Sequence, residues 1–363
     1  MPKSFENGPL TGLRVVEFQG IGPGPHVAMM LADMGAEVVR IERPGYSPMN
    51  EVVERARHRL SLDLKSESGK SQCLEALEVA DVLIEGFRPG VMERLGLGPE
   101  VILAANPRLI YARMTGWGQE GPLAKAAGHD LNYIAITGAL DAIGTPGELP
   151  VPPQNLVGDF GGGSLYCALG ILAALYERQT SGRGQVVDAA IVDGVTSLMS
   201  FFVGQPEGAF RNVERGRGLL GGAAHFYRCY RCKDGGEITL GAIEPQFYAE
   251  FLERAGASDS LREGQLDPEK WDAHAAELAE LFATRTRSEW CEILEGTDAC
   301  VAPVVPLGEA RNHPHLKDRS NYVNRDGVWH TAPAPRFDRT PSKIRSADED
   351  GAATVRHWRA GGN

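Results

Sequence analysis

Short apolar runs alternate with helix-length stretches through the first third of this chain, and few folds accept that rhythm. Residues 13–18 (LRVVEF) lead into the turn GIGPGP, a helical pattern over about 26–34 closed by Gly35, and a second apolar run at 37–41. This is the pattern of a βαβ unit. Further runs at 60–64, 81–85 and 109–114 continue it, with a helix expected after Ser66 and a short one after Pro89. Strands separated by crossover helices pair in parallel, so the expected class is α/β, with a Rossmann-like parallel-sheet large domain. Helices over 130–140 and 164–178, then a strand entering a helix in GQVVDAAIVDG, extend it.

Beyond about residue 202 the pattern changes. A hairpin is expected over 225–240, then helices from about Pro245, over 271–282, and after the capping-box pair Thr286 and Glu289. We therefore expect a large domain over 1–202, a linker over 203–224, a smaller α+β domain over 225–319 and a C-terminal segment over 320–363. That segment carries a hairpin signal at Asp326 and Gly327.

A chain of 363 residues has room for two domains, and 42% hydrophobic with 23% charged residues is ordinary for a soluble globular protein. The 37 Lys and Arg against 48 Asp and Glu give a net charge of -11, the wrong sign for a general nucleic-acid or anionic-membrane partner. The longest uncharged stretch, 160–176, holds three consecutive glycines and falls short of a bilayer span. No transmembrane helix is expected. MPKSFENGPL has no apolar signal core and RAGGN is no peroxisomal address, so a cytoplasmic location is the expectation. Among the six cysteines, Cys229 and Cys232 form a CxxC on a strand. Residues three apart on a strand face opposite ways, which argues against a metal or redox site.

The GIGPGP turn invites a dinucleotide, but Gly20, Gly22 and Gly24 do not follow G-x-G-x-x-G, and Pro23 and Pro25 remove amide donors. Arg43 closes the second strand, Arg88 follows IEGF, and Arg94 lies in the next helix. They fall near the strand ends where ligands of parallel sheets sit, so together they fit an anionic ligand, although each alone suits a solvated surface. His129 stands at the start of a helix, where the dipole disfavours imidazolium and leaves a base; it serves equally as part of a cap. Asp159, in NLVGDFGGGSLY, reads either as an N-cap or as a carboxyl that apolar surroundings keep protonated, with neighbouring glycine amides available to an enolate oxygen. Glu244, just before Pro245, reads as a helix-start carboxylate or as a functional one.

In these segments the chain resembles the class III CoA-transferase superfamily, and within it the racemase branch. The likeness runs through GLRVVEFQGIGPGPHVAMMLADMGAEVVRIERP, DVLIEGFRPGVMERLGLGPE, LIYARMTGWGQEGP, AGHDLNYIA, VGDFGGG, GQVVDAAIVDG, GAIEPQFY and DACVAPV, in that order. The resemblance implies an interlocked homodimer whose C-terminal segment returns to the large domain. It implies catalytic roles for His129, Asp159 and Glu244, support from Asp130, and CoA contacts from Arg43, Arg88 and Arg94. It places Glu244 of one chain near His129 of the other. The implied reaction inverts the α-carbon of 2-methylacyl-CoA thioesters by two-base proton transfer through an enolate, with no metal and no cofactor beyond the CoA of the substrate. Alternatives are a CoA-transferase with Asp159 as covalent nucleophile, an NADP-linked oxidoreductase with Arg43 on the 2′-phosphate, and a non-catalytic nucleotide-binding module.

Overall fold

The computed structural model describes residues 8–204, 214–346 and 350–361. Parts of the expected linker (205–213) and of both terminal signals (1–7 and 362–363) lie outside them. The chain divides into two compact units. One comprises residues through Thr137, Pro153–Leu198 and residues from Ser320; the other comprises Gly138–Pro152 and Met199–Arg319.

The first unit is built on six parallel strands: β1 (Arg14–Phe18), β2 (Glu37–Glu42), β3 (Arg57–Ser61), β4 (Val82–Glu85), β5 (Ile110–Thr115) and β6 (Val186–Ala190). Their order is β3-β2-β1-β4-β5-β6. Val15, Val16, Val38, Val39, Val82 and Leu83 are wholly buried, as strands covered on both faces require. Chain order reverses between β1 and β4, and this switch point opens a crevice at the carboxyl ends of the strands. The third strand begins at Arg57, earlier than its apolar residues suggest, because its first half carries buried charge instead of apolar side chains.

Two helices differ from expectation at functionally relevant places. The helix after β1 starts at Pro23, not near His26, because prolines fit a first turn whose amides have no helical acceptor. Gly22 precedes it with φ 68°, a left-handed conformation that glycine adopts without strain. The helix expected over 164–178 begins instead as a π-helical segment, Leu156–Leu165, and continues as Tyr166–Ser181. Glycines make this possible: a Cβ on Gly162 would stand 2.5 Å from a Val195 methyl, and one on Gly194 would stand 1.9 Å from the Gly162 carbonyl oxygen. The combined helix is long and apolar enough to cross a membrane by length and composition, yet its Cys167, Ile171 and Ala174 are buried in the unit, where it packs against β5 and β6.

The C-terminal segment joins the same unit. Its hairpin pairs the strands Tyr322–Arg325 and Val328–Thr331. Further on, Lys343 N–H donates to the Asp33 carbonyl (3.0 Å) and Arg345 to that of Ala32 (2.9 Å), so both close the end of the helix Pro23–Asp33. Asp350 bridges edge strand β3 at Arg59, and Trp358 of the helix Gly351–Arg359 is buried with its indole N–H on Glu37 (2.8 Å).

The second unit holds an antiparallel sheet of β7 (Tyr227–Arg231), β8 (Glu237–Gly241) and β9 (Val301–Pro303). Helices Pro245–Ala255, Trp271–Phe282 and Arg287–Leu294 enclose an aromatic core with it. Phe282 stacks on Tyr230 and Phe251 and meets Trp290 edge-on. The capping box at Thr286 and Glu289 forms as expected. Cys229 is exposed and Cys232 buried.

Candidate active site

A cavity of about 430 Å³ occupies the switch point. Its walls are the GIGPGP turn after β1, the loop carrying Phe87 and Arg88 after β4, and the stretch after β5 that leads to His129. The π-helical segment contributes Asp159.

His129 is the N-cap residue of the helix Asp130–Ile136. Its amide donates to the Asn132 side chain (3.0 Å), and its carbonyl accepts from the amides of Asn132 (2.8 Å) and Tyr133 (3.2 Å). His129 thus caps the helix and also lines the cavity. Asp130, next along, is buried, and its Oδ2 accepts the amide of Asp159 at 2.7 Å. The close approach requires Gly158, where a Cβ would fall 2.3 Å from that same oxygen.

Asp159 is therefore not an N-cap; it sits inside the wide first turn of the long helix. Burial pushes its carboxyl above the ordinary range and the charge of Asp130 pushes the same way, while the Asn155 amide and the charge of His129 pull back. The carboxyl faces the GIGPGP turn so closely that a Cβ on Gly22 would lie 2.9 Å from its Oδ2. A carboxyl disposed to hold a proton and an imidazole thus line one cavity, the arrangement that two-sided proton transfer at carbon requires.

The arginines separate. Arg88 lines the cavity. Arg43 is exposed, and its amide donates to Gln19 Oε1 (2.6 Å), a side chain on the cavity wall. Arg94 is exposed in the last turn of the short helix Val91–Arg94. Neither Arg43 nor Arg94 lines the cavity. Glu244 belongs to the second unit, where it is the exposed N-cap residue of Pro245–Ala255 and its carbonyl accepts from Tyr248 N–H (3.0 Å).

Sequence reasoning missed three contributors. Tyr133 lines the cavity, its hydroxyl donates to the Gly128 carbonyl, and its ring meets Trp117 edge-on at 4.8 Å. A Cβ on Gly116 or Gly128 would fall 2.0 or 2.7 Å from that ring, so these two glycines were the available signal. Asn155 contacts the Asp159 carboxyl at 3.5 Å. Ser164, wholly buried, has its hydroxyl 3.1 Å from the carbonyls of both Pro23 and Asp159.

Comparison with known proteins places these features in context. The model of CoA-transferase family III matches residues 10–349. The chain is 47% identical to the alpha-methylacyl-CoA racemase of Mus musculus over 344 residues, covering 94% of this chain and 89% of that one. It is 43% identical to the alpha-methylacyl-CoA racemase of Homo sapiens, covering 92% and 87%. A crystal structure of a CAIB/BAIF family protein from Brucella suis shares the fold, with a TM-score of 0.79 over 97% of this chain and all of that one, at 24% identity.

Proposed function

Because the chain belongs to CoA-transferase family III, and its racemase relatives match along nearly its whole length, we propose that it inverts the α-carbon of 2-methylacyl-CoA thioesters. One observation carries this beyond the family: His129 and Asp159, whose carboxyl burial pushes above the ordinary range, line the same cavity. A thioester acidifies its α-hydrogen only modestly, so the carbanion must be relieved as an enolate whose oxygen receives hydrogen bonds from backbone amides. In one direction the His129 imidazole takes the α-proton, and the C–H electron pair moves towards the thioester oxygen. The Asp159 carboxyl then delivers its proton to the opposite face as the enolate collapses. The enantiomer reacts with the roles exchanged. No electron is gained or lost overall, so the reaction needs no redox partner.

Arg88 on the cavity wall, with Arg43 and Arg94 outside it, supports a reading in which the CoA phosphates lie along this side. The homodimer has support from the long helix of the first unit, where Leu165, Leu169 and Tyr176 are 54, 63 and 76% exposed and share one face. A second copy of the chain is the occupant we assign to it, and in that dimer Glu244 of one chain serves His129 of the other.

The test is incubation of one 2-methylacyl-CoA enantiomer with the enzyme in deuterated water. Inversion with α-deuterium incorporation is expected from dialysed enzyme without added nicotinamide or metal. Inversion that depends on either would overturn the cofactor-free reaction. CoA exchange between acids with a trapped Asp159 adduct would replace the racemase with a transferase. Glu244→Ala and His129→Ala chains, each inactive alone, should recover activity when co-expressed; a fully active monomer excludes the shared site.

A further inference from the structure

The peptide of Asp159 is held on both sides by side chains. Asp130 takes its N–H, and the Ser164 hydroxyl lies 3.1 Å from its carbonyl. Ser164 stands five residues further on, one π-helical turn away, and the same hydroxyl lies 3.1 Å from the Pro23 carbonyl. It has one proton and is shared between two acceptors. Pro23 directly follows Gly22, the residue against which the Asp159 carboxyl rests. The buried hydroxyl therefore ties the turn that carries this acid to the loop the acid faces. A π-helical turn is an unusual local geometry, often found at functional sites, and here side chains hold it from both directions.

His129 has a different support. The Tyr133 hydroxyl donates to the carbonyl of Gly128, the residue before His129, and its ring fills the space that Gly116 and Gly128 leave open beside Trp117. We infer that Ser164 is the positioning residue of Asp159 and Tyr133 that of His129, so the two faces of the reacting carbon are set by separate hydroxyls. This rests on the two-base reading above.

Inversion rates cannot separate the two roles, because the equilibrium constant ties both directions together. Exchange with retention can, because each enantiomer yields its α-proton to the base on its own side. In deuterated water, His129→Ala and Asp159→Asn first identify which enantiomer depends on which base. Ser164→Ala should then slow deuterium uptake into the Asp159-dependent enantiomer by at least about fivefold and into the other by less than about twofold. Tyr133→Phe should give the reverse. Ser164→Cys fills the site with a slightly larger, weaker donor and should show the same asymmetry to a smaller degree, which also covers failure of the alanine variant to fold. Equal losses for both enantiomers, or no loss for either, would overturn the inference. Wild-type enzyme that exchanges neither enantiomer refutes the two-base reading, and the inference falls with it.

Discussion

Both units have apolar cores, but the first also sets ion pairs inside its own. In the second, Trp290, Phe282, Phe251 and Phe226 are essentially inaccessible to solvent, and stability rests on apolar burial and ring packing. The first also buries ions. Arg57 meets Glu17 at 2.8 Å with both side chains at or below 1% exposure, Arg113 meets Glu85 at 3.0 Å, and Arg55 meets Asp33. Buried pairs of this kind recover little more than their desolvation cost, so they add less stability than an apolar core of equal volume. What they add here is orientation: Arg57 also donates to the Pro25 carbonyl in the GIGPGP turn, and Glu85 accepts the Phe87 amide (2.7 Å) in the Arg88 loop. In the unit that carries the cavity, buried charge thus holds the loops of the cavity wall in place.

The sharpest way to break this contrast is to remove one ion. Arg57→Ala leaves Glu17 buried without its partner and should cost about 3–5 kcal/mol in urea unfolding. Trp290→Ala should cost a similar ~3–5 kcal/mol through its cavity. The double substitution Glu17→Gln with Arg57→Met separates the two cases: it should regain most of the stability while activity stays low, because the tie to Pro25 is gone. Recovery of activity along with stability would remove the orienting role.

Acid should act next. His225 in the second unit is held down to about 3, first by burial and then by the charges of His274 and Arg228. Its Nε2 is paired with the Tyr248 hydroxyl (2.9 Å). The unfolded chain takes up a proton below the ordinary 6.5 whereas the folded unit refuses it, so this contribution is complete above pH 6.5 and declines on acidification towards 3. The expected slope is about 1.4 kcal/mol per pH unit within that window. His225→Gln should flatten it in thermal melts across the same range; an unchanged slope would assign the acid sensitivity elsewhere.

The smallest effect tests the site itself. Asp130→Asn keeps an acceptor for the Asp159 amide but removes a charge that raises Asp159. The limb of the pH–rate profile set by Asp159 should therefore move to lower pH, with kcat falling modestly. A limb that moves upward contradicts the electrostatic account.

The alternating strands were legible because a strand buried on both faces needs a continuous apolar run, and Val15, Val38 and Leu83 supply it. The third strand was misplaced because Arg57, His58 and Arg59 carry no such signal; they lie in a strand through tertiary ion pairing. Asp130 entered only through the family resemblance, whereas His129 and Asp159 stood out as polar groups beside glycines. The helix around Asp159 did not, since glycines remove the side-chain periodicity that reveals a helix, and what they permit is visible only against the helix Ile191–Leu198. Tyr133 and Ser164 were hidden because their work is done on backbone carbonyls brought close by the fold, which no spacing in the chain records.

The C-terminal return has a consequence in time. A ribosome releases residues in order, and the first sheet's outer edge, the end of its first helix and the socket for Trp358 wait for residues 343–359. The second unit, whose span ends at Arg319, is complete while the first is still unfinished. The earlier-made region is thus the last to close, and a chain released before residue 340 should resist protease best over its second unit.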